Sequence, residues 1–331
     1  MTRPRVAPSS LETDVQRIKI GVAHYGAGLA PVFAAFEGGY FREAGLDVEL
    51  VDVHGHPKTI EALLAGDVDF INSVGPELIL ANERHDGDAV VIASAISRSA
   101  QQVSARAGLK SREDLRGKRW GVTARKDMDE CSIAMAFERW GWKLDDIEIV
   151  VVGSDGLRLD LLLNASKVDV AIMHAPETFQ ALNRGWGLIE DLGRLDVAFQ
   201  NSCAATTRRL LSNRRDLANR YVRAFCAGVH RFRTDPAFGI ALLKKYTKEP
   251  DDEVIVQTWT LFSRLMGGMM FPSLEGLRNA AGVLLKLDAI KRAPDPSEVA
   301  DMAPMAALDE SDFFATLLGA RSVKLATTAA G

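Results

Sequence analysis

The sequence predicts an α/β protein of two similar lobes, each a mostly parallel sheet flanked by helices. Segments recur at an offset of one hundred residues, because DVDFINSVGPE at 67–77 matches KVDVAIMHAPE at 167–177. IGVA at 20–23 likewise matches WGVT at 120–123. Each copy alternates strand patterns with helix patterns, as parallel βαβ units do. Two copies of one unit therefore indicate two lobes of one plan.

The first copy predicts three strands and two helices. Its strand segments are rich in Val, Ile and Leu, whereas its helix segments have apolar residues at three- and four-residue spacing. In order, the elements are a strand at 18–23, a helix at 31–44 ended by Gly45, a strand at 46–53, a helix at 58–65 and a strand at 68–73.

The second copy repeats this order. Its elements are a strand at 118–123, a helix at 132–140 followed by Gly141, a strand at 147–152, a helix at 157–164 and a strand at 168–173. A Pro-Glu turn follows the last strand of both copies, which places Glu77 and Glu177 where a carboxylate stabilises a helix N-terminus.

The rest of the chain is predicted to be helical. Residues 199–211, FQNSCAATTRRLL, form an extended return segment before it. Apolar spacing then predicts helices at 216–231, 237–244, 251–265 and 274–285, with N-caps at Asn213, Asp235 and Ser273. This pattern suits a chain that crosses back and ends on the first lobe.

Composition excludes several classes of protein. The 331 residues are 47% hydrophobic and 25% charged, and the formal net charge of -4 leaves no broad cationic surface for nucleic acid. Three cysteines without a C-x-x-C spacing indicate neither a disulfide framework nor a zinc site. Phosphate-loop, serine-hydrolase and zinc-protease motifs are missing in the contexts that they require.

The opening segment, residues 1–17, is predicted to be a flexible leader. It is polar, holds two prolines and lacks the apolar run of roughly 7 to 15 residues typical of an export signal. No stretch reaches the roughly 18 apolar residues that a membrane span needs. The expected location of the printed chain is cytoplasmic, or periplasmic if translation starts upstream or the N-terminus has been shortened.

Four segments carry a family resemblance. They are AHYGAGLAPVFAAFEGGYFREAGLDVELV at 23–51, IEALLAGDVDF at 60–70, LKSREDLRGKRWGVT at 109–123 and LLLNASKVDVAIMHAPE at 161–177. Over roughly residues 18–235, the chain resembles the class II periplasmic substrate-binding proteins of ABC importers. The resemblance is to the type that binds sulfonates, taurine, nitrate and thiamine pyrimidine precursors.

The resemblance implies a class II periplasmic-binding-protein-like fold with a ligand in the cleft between the lobes. It implies two hinge crossovers, near 96–103 and 198–206. Lobe 1 then comprises 18–98 plus 205–331, and lobe 2 comprises 99–204. A further implication is an ABC permease as the partner that recognises the closed shape.

Physical reasoning places a ligand in the same cleft. In open α/β sheets, ligands bind at the carboxyl ends of parallel strands, near helix N-termini with exposed N–H groups. The loops in question are 24–28, 54–58 and 73–77 in the first lobe and 123–132, 154–158 and 174–177 in the second. The residues predicted to contact the ligand are His24, Tyr25, Gly26, His56, Ser73, Gly75, Thr123, Arg125, Ser154, Arg158, His174 and Glu177.

Histidines are the most informative of these candidates. His24 and His174 follow strands of opposite lobes, so they can face each other and donate hydrogen bonds to an anionic or carbonyl group. Capping of local loop carbonyls is the alternative for each. His54 and His56 could present two ring nitrogens together, but further ligands are not assignable, so neither a metal nor a cofactor is predicted.

The other candidates have simpler roles. Arg125 and Arg158 can clamp a carboxylate or sulfonate. Gly26 and Gly75 would let the backbone approach a ligand, although turn formation explains a glycine equally well. For Glu177, stabilisation of a helix N-terminus is the preferred role over ligand contact.

An enzyme is the alternative to a binding protein. The family's fold also occurs in cytosolic enzymes, and Cys131 is predicted at a helix N-terminus, where the helix dipole would lower the pKa of its thiol. His24 or His174 would then serve as acid or base. Against this, the cysteine-rich run of the pyrimidine synthase is missing, and no cysteine follows the first strand as in the desulfinase.

The sequence therefore favours a protein that binds a small organic ligand, anionic or heteroaromatic, by closing its lobes. No catalysis is needed for that role, and the expected partners are the ligand and an ABC permease. The alternative is a lyase or hydrolase of a small aromatic or heteroaromatic acid in the same cleft.

Overall fold

A computed structural model describes residues 15–153 and 167–318, and its strands form two five-stranded sheets. The strands are β1 (Gln16–Val22), β2 (Leu46–Asp52), β3 (Phe70–Ser73), β4 (Ala89–Ser94), β5 (Gln102–Ala105), β6 (Arg119–Val122), β7 (Glu148–Val151), β8 (Val170–Met173), β9 (Gly187–Asp191) and β10 (Cys203–Thr207). The first sheet has the order β2-β1-β3-β10-β4 and the second has the order β7-β6-β8-β5-β9.

The two sheets share one topology. β1 pairs in parallel with β2 and β3, and β6 pairs in parallel with β7 and β8. The fourth strand of each sheet is antiparallel to both neighbours: β10 lies between β3 and β4, and β5 lies between β8 and β9. Matched segments of the sequence repeat occupy matched positions, which confirms the predicted two-lobed α/β fold.

Helices cover both sheets. They are α1 (Ala30–Glu37), α2 (Tyr40–Glu43), α3 (His56–Ala65), α4 (Gly75–His85), α5 (Met128–Trp140), α6 (Glu177–Asn183), α7 (Arg208–Asn213), α8 (Arg215–Thr234), α9 (Pro236–Thr247), α10 (Asp252–Leu265), α11 (Leu274–Lys286), α12 (Pro296–Val299), α13 (Ala303–Glu310) and α14 (Phe313–Leu318). None of the helices in the described ranges is long and apolar enough to cross a membrane.

Several element boundaries differ from the prediction. The helix expected at 31–44 is broken after α1, because Gly39 adopts a left-handed φ of 79°. Helix α5 begins four residues before the predicted position 132, since the Asp127 side chain caps it by accepting from the backbone N–H of Asp129 at 3.0 Å. The helix predicted at 157–164 lies outside the described residues.

Two of the three predicted N-caps are confirmed. Asp235 accepts from the N–H of Phe238 at 3.0 Å, and Ser273 accepts from the N–H of Gly276 at 3.1 Å. The cap expected at Asn213 is wrong: this residue ends α7, and the next helix starts without a side-chain cap.

Apolar clusters pack against the two sheets. One of these clusters contains residues from elements of both sheets. Ile18, Phe33, Phe70 and Tyr221 belong to the cluster on one face of the first sheet, which α1 and α8 cover. Cys131 and Met135 of α5 share a second cluster with Leu78 of α4 and Leu277 of α11. Helix α5 extends from the second sheet, so the apolar contact between the lobes lies along this helix.

Close packing of α1 on α8 depends on one glycine. A Cβ added at Gly228 would lie 2.5 Å from the backbone nitrogen of Ala35 and 2.8 Å from its Cα, and backbone atoms cannot move aside cheaply. Gly228→Ala should lower the free energy of unfolding in urea by about 1–3 kcal/mol, the usual cost of overpacking. Gly282→Ala is the matched control, because a Cβ there meets nothing within 4 Å.

In the control variant, replacing a helical glycine by alanine should be neutral or stabilise the protein by up to about 1 kcal/mol. An equal loss of unfolding free energy in Gly228→Ala and Gly282→Ala would contradict the packing explanation.

Candidate functional site

Three histidines from the two sheets converge on one region. His24 follows β1, His56 begins α3, and His174 follows β8. The imidazole rings of His24 and His56 have centroids 5.2 Å apart and an interplanar angle of 80°. His174 lies close enough to influence the pKa of both other rings. The loops of both lobes thus bring their imidazoles together, and we refer to these three residues as the histidine cluster.

The tautomer of His24 is set by its own loop. The Gly26 backbone N–H donates to His24 Nδ1 at 2.9 Å, so the neutral imidazole carries its proton on Nε2. A Cβ at position 26 would lie 2.7 Å from that same Nδ1. Gly26 therefore acts by allowing the backbone to hold His24, rather than by giving the backbone access to a ligand.

Two members of the histidine cluster, His24 and His56, are uncharged at neutral pH. Burial, with added repulsion from His56 and His174, lowers the pKa of His24 to about 3. Burial and His174 lower the pKa of His56 to about 4. His24 nevertheless keeps solvent-exposed surface, which places it in a cleft enclosed by protein and not in the sealed core. Neutral rings in such a cleft can bind by hydrogen bonding.

One imidazole nitrogen of the cluster has no assigned protein partner. Nδ1 of His56 is buried and makes no hydrogen bond within the described part of the chain. A buried polar atom in this condition normally binds water or a ligand. His54, by contrast, is exposed and pairs its Nδ1 with Asp52 at 3.2 Å, so the two histidines of this loop make separate contacts.

No metal site emerges from these residues. In ranges 15–153 and 167–318, no group of three His, Cys, Asp or Glu side chains is arranged to hold a metal ion.

Tyr25 adds an aromatic surface beside the histidine cluster. Its ring is 41% exposed and stacks with Phe33, with centroids 5.8 Å apart. Phe33 is buried and stacks on Tyr246, with ring centroids 3.8 Å apart. Desolvation and a hydrogen bond to Asp52 raise the pKa of the Tyr25 phenol. The exposed ring can contact a flat ligand.

The second-lobe loop uses its polar groups internally. Arg125 forms two hydrogen bonds to the buried carboxylate of Glu130, at 3.1 and 2.9 Å, so its charge is compensated by the protein itself. The Thr123 N–H and hydroxyl both donate to Asp129 at 2.8 Å. These bonds order the loop and leave the exposed edges of Thr123 and Arg125 facing solvent.

Two first-lobe candidates lie in packed surroundings. Ser73 is buried, and its hydroxyl has no hydrogen-bond partner in the described ranges. The Gly75 N–H donates to the Gln200 carbonyl at 2.8 Å, and a Cβ there would meet Gln200 and Leu277 at 2.9 and 3.0 Å. Because Gly75 has no side chain, Gln200 of the crossover segment and Leu277 of α11 can pack against its backbone.

Of the three remaining candidates, only Glu177 lies within the described residues. Glu177 is the first residue of α6, as expected of a residue at a helix N-terminus. Ser154 and Arg158 lie outside the described residues.

Cys131 lies in the first turn of α5 as predicted, but the predicted lowering of its thiol pKa is wrong. Its side chain is fully buried in the cluster with Leu78 and Leu277, and burial raises the pKa of its thiol well above the ordinary value. The charges of Asp127 and Glu77 act in the same direction. Nearby carboxylates and desolvation outweigh the helix dipole, so Cys131 lacks the thiolate character of a nucleophile.

A polar network at the crossovers was missed by the sequence analysis. The side-chain amide of Gln101 donates to Asp129, and the hydroxyl of Ser202 donates to the Gly28 carbonyl at 2.7 Å. Asn72 donates to the same carbonyl at 3.2 Å. The signal was available: QQ at 101–102 and QNS at 200–202 interrupt apolar segments. These bonds connect the crossovers to loops on both sides of the cleft.

A separate cavity of about 330 Å³ lies between α5, α11 and residues 196–198. Its lining mixes acidic and basic side chains, and none of the predicted ligand contacts belongs to it. The candidate site is therefore defined by converging polar groups rather than by this cavity.

Comparison with known proteins gives a family and a fold. The model of the family described as NMT1/THI5 like matches residues 27–237. A protein of Brucella abortus, named only as a binding protein, is 30% identical over 144 residues. That alignment spans 43% of this chain and 44% of the Brucella protein, so less than half of either is compared.

Solved structures share the architecture at low sequence identity. The alkanesulfonate-binding protein SsuA from Xanthomonas axonopodis pv. citri, bound to MOPS, superposes with a TM-score of 0.71 at 14% identity, covering 86% of this chain and 98% of that one. The nitrate-binding protein NrtA from Synechocystis gives a TM-score of 0.68 at 13% identity, with coverages of 90% and 89%. Both are periplasmic-binding folds, as the sequence predicted for this chain.

The low pKa values of the histidine cluster predict a pH-dependent stability. The unfolded chain binds protons to His24 and His56 near pH 6.5, whereas the folded protein binds them only near pH 3–4. The free energy of unfolding is therefore highest above about pH 6.5, where both histidines are neutral in either state. It decreases as the pH falls toward 4, because only the unfolded chain binds the protons. His56→Gln should flatten this decline in chemical denaturation measured between pH 7 and 4.

The matched control is His54→Gln, two residues away on the exposed side of the same loop. This variant should lose unfolding free energy with decreasing pH as steeply as the wild type does. A His56→Gln protein with an unchanged slope would show that this ring titrates normally.

Proposed function

The chain belongs to the NMT1/THI5-like family, and we propose that it is the substrate-binding component of an ABC-type importer that closes on a small organic ligand. The histidine cluster is the observation that carries this proposal. His24 and His56 extend from loops of the first sheet, and His174 extends from a loop of the second. A ligand bonded to rings of both sheets at once links the lobes.

Such a ligand stabilises the closed arrangement because it makes more contacts there than in the open arrangement. It gains all of its hydrogen bonds only when both lobes contact it, so binding shifts the population toward closure. An ABC permease then recognises the closed shape. The proposal carries a periplasmic location with it, which fractionation of the native cell would test.

The ligand is proposed to be anionic or heteroaromatic, with a flat portion. Nε2–H of His24 is a donor for a carbonyl, carboxylate or sulfonate oxygen, or for a ring nitrogen. The exposed ring of Tyr25 supplies a surface for stacking. Because Arg125 is already paired with Glu130, recognition here depends on neutral donors more than on a free cation.

Binding is favoured over catalysis by the state of Cys131. Its thiol is buried, with a pKa raised well above normal, so the lyase or hydrolase alternative loses the nucleophile assigned to it. The imidazoles can hold a ligand without any covalent step.

A thermal-shift screen of sulfonates, carboxylates, pyrimidines and aromatic acids tests the proposal, because a ligand selective for the folded state raises Tm. For the best ligand, His24→Ala and His174→Ala should each weaken binding in calorimetry by roughly two- to tenfold, the worth of one hydrogen bond. His54→Ala is the control and should bind normally.

Mass spectrometry of the incubated ligand separates the two functions. Recovery of the ligand unchanged after long incubation supports a binding protein. Its conversion to a product of different mass would replace the proposal with an enzyme, and normal binding by both cluster variants would move the site elsewhere.

A further inference from the structure

Helix α6 of the second lobe contacts the apolar cluster of the first lobe. Phe179 of this helix packs against the cluster that contains Phe33, and Ala175, just before the helix, belongs to that cluster. Helix α6 follows the loop that carries His174, and it contacts α10 of the first lobe. The two lobes therefore meet beside the candidate site, at a place separate from the contact along α5.

Two amide side chains of α6 bond to carboxylates of the first lobe. The Gln180 amide donates to Oε2 of Glu249, and the Asn183 amide donates to Oδ2 of Asp251 at 3.5 Å. Gln180 and Asn183 are three residues apart, so they share one face of the helix. Glu249 and Asp251 both lie in the connection between α9 and α10. One face of α6 thus bonds to one short segment of the first lobe.

The carboxylate of Glu249 depends on both lobes for its hydrogen bonds. Glu249 is only 6% exposed, and its Oε1 accepts from the backbone N–H of Asp251 at 2.9 Å. Its Oε2 accepts from Gln180 of the other lobe. Loss of this donor while the lobes stay in contact would leave a buried charged oxygen without its partner, which is costly. The bond from Gln180 therefore favours the arrangement in which the lobes touch.

The segment that carries Glu249 is fixed to the first lobe beside Tyr25. Tyr246 stacks on Phe33, with ring centroids 3.8 Å apart, and its centroid lies 6.2 Å from that of Tyr25. The Tyr246 hydroxyl donates to Oε1 of Glu37 at 2.7 Å. The segment therefore extends from the aromatic surface of the candidate site to the opposite lobe.

Helix α10 continues from this segment along the boundary between the lobes. It contacts residues 27–29, directly after the first-lobe loop of the site, and its 14 residues span about 21 Å. At its far end, Arg264 donates to Oδ2 of Asp191 at 2.6 Å. Asp191 ends β9, the last strand of the second sheet before the chain returns to the first. Rotation about the crossovers would move the contact at Asp251 much farther than the contact at Arg264.

We propose that Gln180 and Asn183, bonded to Glu249 and Asp251, form a latch that holds the lobes together at the rim of the candidate site in the absence of ligand. A ligand then enters or leaves only when these bonds break, so the latch sets the rate of exchange. Gln180 and Glu249 are positioning residues, because they act on the distance between the lobes. The proposal rests on the proposed function only in requiring that the lobes open and close.

Small-angle X-ray scattering of the ligand-free protein at neutral pH tests the latch. Gln180→Glu places a second carboxylate against Glu249, so repulsion replaces the hydrogen bond. The ratio of closed to open protein should fall by about tenfold or more, the worth of a hydrogen bond to a charged group. The radius of gyration should increase relative to that of the wild type, while far-UV circular dichroism stays constant.

Exchange of the two side chains tests the bond itself. Gln180→Glu combined with Glu249→Gln keeps the composition and net charge of the wild type. The amide at position 249 can then donate to the carboxylate at position 180, and its oxygen can still accept from the Asp251 N–H. The radius of gyration of this swapped pair should return to the wild-type value.

Asp252→Asn is the matched control for a carboxylate changed to an amide in this segment. Asp252 pairs with Lys244 of its own lobe, and its side chain is 79% exposed. This variant should keep the wild-type radius. Gln180→Ala removes the donor without adding a charge, so it should also expand the protein, and it replaces Gln180→Glu if that variant does not fold.

The outcomes separate the latch from the proposed function. Equal radii for the wild type, Gln180→Glu and Gln180→Ala would overturn the latch, as would a swapped pair as expanded as Gln180→Glu alone. Expansion of Gln180→Glu with recovery in the swapped pair supports the latch, even if the screen finds no ligand. Equal radii together with a ligand from the screen would remove the latch and leave the binding role intact.

Discussion

Each sheet contains one antiparallel strand between two of its other strands, and this strand fixes where the chain passes between the sheets. β10 lies between β3 and β4, and β5 lies between β8 and β9, so backbone hydrogen bonds hold both strands on both edges. Neither strand can shift without breaking a ladder. The two crossovers between the sheets, 95–101 and 192–202, are therefore held at each end by a paired strand. Their polar side chains bond to loops that carry the candidate site.

The same architecture explains why His24 and His56 are neutral. Loops that follow equivalent strands of two facing sheets must end near each other, and in this chain they bring His24, His56 and His174 together. Imidazoles that share a desolvated region repel each other's protons, so each one disfavours charge on the others. Arg125, a cation of the second-lobe loop, is bonded to the Glu130 carboxylate of the same loop. Hydrogen-bond geometry, more than attraction between charges, then governs which ligand is held.

The sequence predicted the two sheets and the loops that meet between them, and it failed in local backbone detail and in the surroundings of one buried thiol. The hundred-residue repeat predicted both sheets, and the positions of His24 and His174 after strands predicted their convergence. The break at Gly39 and the failure of Asn213 as a cap are local errors, since each depends on one backbone conformation. The low reactivity of Cys131 was beyond prediction, because it results from helices more than fifty residues apart in sequence that bury the thiol among carboxyl groups.

The shared apolar cluster on α5 gives the protein an internal reporter of its own motion. Cys131 is shielded by Leu78 of α4 and Leu277 of α11, which belong to the first lobe, although the cysteine belongs to a helix of the second. If the proposed opening of the lobes separates α4 from α5, it exposes the sulfur atom to solvent. The rate of alkylation of this thiol would then report that opening without an attached dye or an engineered label.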